Sequence, residues 1–259
     1  MIKFIVRPFM RPKLTFSSPL PDEPVIFYSN HANDFGPGAL VTAFTREFRS
    51  WISANMLKVK TAPAQIMKTT LPNFNKFTEP FLRLLSFGMG VALSVMFKAA
   101  GAIPVFHDLR LKTTFTKTAE TLKEGLDVVI FPDSLLPNPG NPYIDKMQKG
   151  AFRILTYLKR CNLKVPPVYP VYACKALKTV LVGNPIRLED GVTEDDIYNH
   201  VDAEIKRLGE SLPPHKIQPY AVMPKDISKI RKYFTVGDEK IYDELEELQK
   251  TAAQSLEIL

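Results

Sequence analysis

A histidine follows directly on a short apolar run near the beginning of the chain. Residues 24–28 (PVIFY) have the composition of a buried strand, and Ser29, Asn30 and His31 come next. A second apolar run, 128–131, is followed by Pro132 and Asp133, and a third occupies 167–171. Histidine exchanges a proton near neutral pH, and a carboxylate can orient it. The three runs therefore predict a proton-transfer site at the ends of buried strands.

Strand-like and helical patterns alternate along most of the chain. The pattern predicts strands at 25–29, 51–54, 103–106, 127–131, 165–172 and 179–182. It predicts helices at 39–49, 111–124, 150–160 and 193–208, with Thr193 and Asp196 as a helix start. Such alternation indicates an α/β fold with a mostly parallel central sheet flanked by helices. Ligands of such sheets bind at the carboxyl ends of strands, where His31 and Asp133 are expected.

Length and composition predict one main domain with an appended tail. We expect a single domain over 1–212, beginning with a basic, apolar segment at 1–20, and a helical tail over 213–259 with its helix at 241–259. The basic residues of the first segment argue against a signal peptide. Cys161 and Cys174 lack close spacing, which argues against a disulfide framework or a zinc site. We expect neither a metal nor a cofactor.

Charge is distributed unevenly along the sequence. Residues 46–117 carry eleven Lys or Arg and three acids, a net charge of +8, whereas residues 189–259 carry sixteen acids and nine bases, a net charge of −7. The basic part would attract nucleic acid, anionic lipid or phosphorylated small molecules. No recognised nucleic-acid-binding motif is present, so we expect no nucleic-acid partner.

The basic part also contains an uncharged apolar stretch, 84–97. Its fourteen residues are fewer than the roughly 20 needed to cross a bilayer. Two interpretations remain open, a helix lying in the membrane interface and a buried core helix. The flanking bases favour an anionic membrane surface, so we predict a membrane-facing segment at about 55–100, with 55–80 as a polar cover, and a peripheral location on the cytoplasmic face.

Four short blocks occur in a distinctive order over residues 20–210. They are 30–37 (NHANDFGP), 101–110 (GAIPVFHDLR), 131–134 (FPDS) with 149–151 (KGA) after it, and 165–171 (VPPVYPV) with 183–186 (GNPI) after it. Their order and content resemble the glycerolipid acyltransferases, the family of lysophosphatidic acid acyltransferases. The first block resembles the Asn-His of that family, and the third resembles its Phe-Pro-Glu-Gly.

The resemblance implies an acyltransferase that acts without a cofactor. A fatty acyl group would move from acyl-CoA or acyl carrier protein to the hydroxyl of a lysophospholipid such as 1-acyl-glycerol-3-phosphate. His31 would be the general base, oriented by Asp34 or by Asp133. A guanidinium suits phosphate, so Arg110 is the expected phosphate contact. The remaining substrate-binding residues implied by the blocks are Asn30, His107, Phe131, Pro132, Ser134 and Lys149.

The blocks also depart from the family pattern at three places. Gly36 stands where the family has the Asp that orients the histidine, His107 stands where Arg is usual, and Asp133-Ser134 replaces Glu-Gly. The departures motivate an alternative function: a catalytically altered or inactive membrane-surface protein that binds lipid on the same scaffold. No Gly-x-Ser-x-Gly nucleophile motif is present, which favours direct transfer over an acyl-enzyme.

Overall fold

The protein is described by a computed structural model that covers residues 12–33, 35–69, 78–134, 136–189, 191–218 and 243–247. Its strands are β1 (Lys13–Phe16), β2 (Ile26–Ser29), β3 (Phe48–Ser53), β4 (Ile103–Val105), β5 (Asp127–Ile130), β6 (Val168–Cys174) and β7 (Thr179–Val182). They form one seven-stranded sheet in the order β1-β7-β6-β2-β5-β3-β4. Every neighbouring pair is parallel except β6 and β7. The predicted α/β fold with a mostly parallel sheet is confirmed.

Helices cover both faces of the sheet. They are α1 (Phe35–Ala43), α2 (Ala62–Thr69), α3 (Glu79–Ala99), α4 (Leu111–Lys123), α5 (Arg153–Arg160) and α6 (Glu194–Glu210), with a 3₁₀ turn at Lys149–Ala151. Because strand side chains alternate between faces, Tyr28 packs with Phe152 in one hydrophobic cluster. Its neighbour Phe27 packs with Leu40 and Phe44 in a second cluster on the other face.

Most predicted strands agree with the structure, and Thr193 caps α6 as predicted through a reciprocal capping box with Asp196. The helix predicted at 39–49 was wrong at both ends. It begins at Phe35, because Pro37 is tolerated in the first turn of a helix and Gly36 is helical. It ends at Ala43, and Phe48 belongs to β3, where it pairs with Asp127 of β5.

Two other parts of the chain differ from the predictions. Residues 13–16 form an edge strand, β1, that pairs with β7, although its mostly exposed residues give no buried-strand pattern. The predicted polar cover at 55–80 contains helix α2, in which Ile66 and Met67 are almost fully buried. Helix α2 packs closely against α3, so this stretch has a packed interior of its own.

Helix α3 is longer than the uncharged stretch that predicted it. Its 21 residues include Arg83 and Lys98, and length and composition alone would allow it to cross a membrane, so the estimate that it is too short was wrong. It is also not a buried core helix, because only 17% of its apolar window is buried. Ser86, Gly90 and Ser94 form its buried stripe, and an added Cβ at Gly90 would lie 2.9 Å from Pro63 Cδ of α2.

The predicted tail is described only at 213–218 and 243–247. Residues 243–247 are helical and Leu245 is buried, consistent with the helix predicted there. The rest of the predicted helix at 241–259, and residues 1–11 of the leading segment, lie outside the described residues.

Candidate active site

Two adjacent parallel strands bring His31 and Asp133 together. In the register between β2 and β5, Tyr28 lies opposite Ile130. The same offset continued by three residues places His31 opposite Asp133. Both residues follow the carboxyl end of their strand, so backbone pairing in the sheet, rather than side-chain packing, sets their separation.

The carboxylate of Asp133 contacts His31 through both of its oxygens. The backbone N–H of His31 donates a hydrogen bond to Oδ2 at 2.9 Å. Nδ1 of the His31 ring lies 3.2 Å from Oδ1. The Asp133 side chain is 1% exposed and the His31 side chain 18% exposed, so the carboxylate is sequestered while the ring remains accessible. The ring nitrogen beside Asp133 is therefore Nδ1, and Nε2 lies on the other side of the ring.

The backbone on both sides of His31 is tightly fixed. The side chain of Asn30 accepts a hydrogen bond from the Ala173 N–H at 2.7 Å and donates to the carbonyl oxygens of Ala173 and Tyr143 at 3.1 and 3.2 Å. Ala32 and Asn33 after the ring have φ of 48° and 54°, a left-handed turn that reverses the chain into α1. The Asn30 side chain therefore holds this loop against the backbone of Ala173 and Tyr143, and its predicted role in substrate binding stays a prediction.

Gly36 stands where α1 approaches this loop most closely. Its N–H donates to the His31 carbonyl oxygen at 2.7 Å. A Cβ on Gly36 would lie 2.4 Å from the Asn30 oxygen and 2.8 Å from the His31 oxygen, both of them backbone atoms. An Asp at this position, as in the family pattern, does not fit this backbone, whereas Asp133 supplies a carboxylate from the segment that follows β5.

The segment that carries Asp133 is held by a second backbone pairing. Asp133 forms an antiparallel bridge with Met147, flanked by hydrogen bonds from Ser134 N–H to the Lys146 oxygen and from Gln148 N–H to the Pro132 oxygen, at 2.9 and 2.8 Å. The ring of Phe131 packs against the His31 ring with centroids 4.8 Å apart. Ser134 turns its hydroxyl to the Leu136 N–H, a local structural bond.

A second buried aspartate, at the start of β5, stabilises the fold. Asp127, at the amino end of the strand, accepts hydrogen bonds from the Val25 N–H at 2.9 Å and from Arg46 at 2.7 Å. Burial raises the pKa of Asp127, while these two donors act in the opposite direction. Asp133 is the member of this pair that faces an imidazole.

Three other predicted site residues lie away from the pair. Arg110 forms a bidentate ion pair with Asp108, and these hydrogen bonds lower the pKa of Asp108 to about 2. Arg110 and His107 follow β4, which is three strand positions from β2 and thus about 14 Å across the same edge of the sheet. Lys149 is exposed and binds Asp195 at 2.8 Å. Asp34, the alternative orienting carboxylate, lies outside the described residues.

The arrangement suits general-base chemistry. A carboxylate on Nδ1 fixes the imidazole tautomer that leaves Nε2 able to accept a proton. Within the described ranges there is no cluster of three or more His, Cys, Asp or Glu that would hold a metal ion. Cavities of about 400 and 270 Å³ are lined by other residues, among them Arg187 and Leu158 respectively.

Sequence reasoning missed two contributors to this geometry. Tyr143 provides a carbonyl oxygen to Asn30, and its ring packs edge-on against Tyr172. It lies in a proline-rich loop with no periodic pattern, so no local signal marked it. Gly36 stands out in the sequence only as a departure from the family pattern, and the close approach of two backbone oxygens shows why the position needs glycine.

Comparison with solved structures shows a distant structural similarity. The chain resembles the crystal structure of the 1-acyl-sn-glycerophosphate (LPA) acyltransferase PlsC from Thermotoga maritima, with a TM-score of 0.46 and 14% sequence identity. The similarity covers 81% of this chain and 77% of the other. No protein-family model matches the sequence, and no curated protein matches it.

Proposed function

We propose that the protein is an acyltransferase that moves a fatty acyl group from acyl-CoA or acyl carrier protein to the hydroxyl of a lysophospholipid such as 1-acyl-glycerol-3-phosphate. The observation that carries this proposal is the double contact between the Asp133 carboxylate and His31, by 2.9 Å to its backbone nitrogen and 3.2 Å to Nδ1. The order of the four sequence blocks supports the choice of reaction.

In the proposed reaction, Nε2 of His31 accepts the proton of the acceptor hydroxyl as that oxygen bonds to the thioester carbon. The carbon–sulfur bond then breaks, and the imidazolium returns the proton to the leaving thiolate. Asp133 stabilises the imidazolium between these steps. General-base catalysis supplies about 10²–10⁴-fold, so substrate positioning must contribute the rest of the acceleration.

The test measures thiol release from acyl-CoA and from acyl carrier protein with a panel of lysophospholipids. His31→Ala should abolish transfer. In Asp133→Asn the amide oxygen is needed to accept from the His31 backbone N–H, which leaves the NH₂ group facing Nδ1. Because NH₂ cannot accept from Nδ1–H, the ring loses its required tautomer and kcat should fall about 10²–10⁴-fold. His200→Ala is the matched control, since this partly exposed histidine contacts the Asn184 oxygen outside the site.

Circular dichroism of each variant separates loss of catalysis from loss of fold. Wild-type transfer rates in folded His31→Ala would remove His31 from the mechanism. If the wild-type chain binds lysophospholipid but consumes no thioester with any acceptor, the alternative of an inactive lipid-binding protein on this scaffold replaces the proposal.

A further inference from the structure

The exposed apolar side chains of the protein are concentrated in one part of the fold. Among the described residues, the large exposed hydrophobic side chains are Phe16, Val59, Phe81, Leu84, Leu85, Phe87, Val95, Leu109 and Leu177. Seven of these nine lie between Val59 and Leu109, inside the stretch that carries the net charge of +8. Apolar exposure and an excess of basic residues therefore coincide along the sequence, and Lys58, Lys60 and Lys98 are exposed bases of this stretch.

Helix α3 contributes most of this apolar surface. Its buried stripe of Ser86, Gly90 and Ser94 packs toward α2, and Leu84 on the remaining surface is 72% exposed. Helix α3 is about 31 Å long and α2 about 12 Å, so α2 covers only part of it. Exposed Phe and Leu side chains at 81–87 would be costly to leave in water.

Two loops extend this surface toward the candidate active site. Val59 lies between exposed Lys58 and Lys60 in the loop after β3, and Leu109, fully exposed, precedes Arg110 in the loop after β4. Strands β2, β5, β3 and β4 are parallel neighbours, so these loops lie at the same sheet edge as His31 and Asp133. We name the exposed apolar residues of α3 with Val59 and Leu109 the α3 surface.

We propose that the α3 surface docks the protein on an anionic lipid bilayer, with α3 lying in the interface of one leaflet beside the sheet edge that carries His31. Apolar side chains interspersed with Lys and Arg match the acyl and headgroup layers of such a membrane. A second copy of the chain is a poorer occupant, because two surfaces of net positive charge repel each other. The docked orientation would present the site to an acceptor lipid, a role that rests on the proposed function.

The test is flotation of the lipid-free protein with vesicles of phosphatidylcholine, with or without phosphatidylglycerol, in the absence of any acyl donor. We expect preferential binding to the anionic vesicles. Raising the salt from 0.1 to 1 M shortens the screening length from about 10 to about 3 Å and should weaken this binding several-fold. Leu84→Glu and Leu85→Glu should each lower the partition coefficient about tenfold or more.

Leu177→Glu provides a matched control. Leu177 is 40% exposed and Leu85 42% exposed, but Leu177 lies in the β6–β7 turn outside the α3 surface. Its substitution should leave vesicle binding within twofold of the wild type. Equal losses from Leu177→Glu and Leu85→Glu, or no binding of the wild type, would overturn the proposal. A lipid-free dimer that Leu84→Glu dissociates would identify a second copy as the occupant.

Folded His31→Ala should bind vesicles like the wild type. Membrane docking and acyl transfer are therefore tested separately. Vesicle binding through the α3 surface without thioester consumption would support membrane docking and contradict the proposed function. Thioester consumption without vesicle binding would support the proposed function and contradict membrane docking.

Discussion

Substitution of Gly36 tests how the candidate site is built. An added Cβ would lie 2.4 Å from the Asn30 oxygen, whereas ordinary contacts begin at 3.4 Å, so backbone atoms must separate by about 1 Å. The Asn30 loop cannot easily yield, because its side chain makes three hydrogen bonds to the Ala173 and Tyr143 backbone. The strain therefore falls on the loop that carries His31.

Overpacking of this kind typically costs about 1–3 kcal/mol, and the higher helix propensity of alanine returns at most about 1 kcal/mol. Because the added Cβ would contact backbone atoms rather than flexible side chains, the cost of Gly36→Ala should lie toward the upper end of the overpacking range. We expect the free energy of unfolding to fall by about 2 kcal/mol, measured by urea denaturation. A displaced His31 should also lower kcat/KM about 10–100-fold in the thioester assay, since catalysis is sensitive to shifts of this size.

Gly88→Ala is the matched control for this change. Gly88 is also helical, but its added Cβ would meet nothing within 4 Å. The free energy of unfolding of Gly88→Ala should therefore rise by up to about 1 kcal/mol, because alanine has the higher helix propensity. Gly36→Asp, which restores the family residue, should be no more stable or active than Gly36→Ala. Undiminished stability together with full activity in Gly36→Asp would refute both the close packing and the assignment of Asp133 as the orienting carboxylate.

Two further predictions concern α6. Gly209→Ala should lower the free energy of unfolding by about 1–2 kcal/mol in urea denaturation, because its Cβ would lie 2.3 Å from the Tyr143 ring; unchanged stability would mean that the ring moves freely. Thr193→Ala should cost about 1 kcal/mol and about 2–4 °C in Tm at pH 7 by removing the N-cap. Hydrogen bonds from Thr193 lower the pKa of Asp196 below its ordinary 3.8. These bonds therefore stabilise the folded state fully above pH 3.8, and this stabilisation is lost as the pH falls through the pKa of Asp196 in the folded protein. The difference from the wild type should therefore narrow below about pH 4, and a constant difference would contradict this assignment.

The amino-acid sequence by itself determined the central strands and the strand ends that carry the candidate site residues. Apolar runs buried on both faces predict the strands of a parallel sheet, and the chain supplies Asn30-His31 and Pro132-Asp133 directly after two of them. The alternation of predicted strands and helices was sufficient to predict the α/β fold class. Edge strand β1 escaped prediction because an exposed edge imposes no apolar pattern, and helix α2 because its buried residues pack locally against α3.

The tertiary structure places the Asp133 carboxylate beside the imidazole. The sequence left Asp34 and Asp133 as alternatives, because a residue three positions away and one 102 positions away are equally compatible with local patterns. Strand register brings Asp133 to Nδ1, and the close approach of Gly36 to two backbone oxygens leaves no space for the family carboxylate. The exposure of α3 also depended on the tertiary structure. An apolar stretch has the same sequence whether its helix is buried or exposed, and only the packing of α3 against α2 showed which side of α3 is exposed.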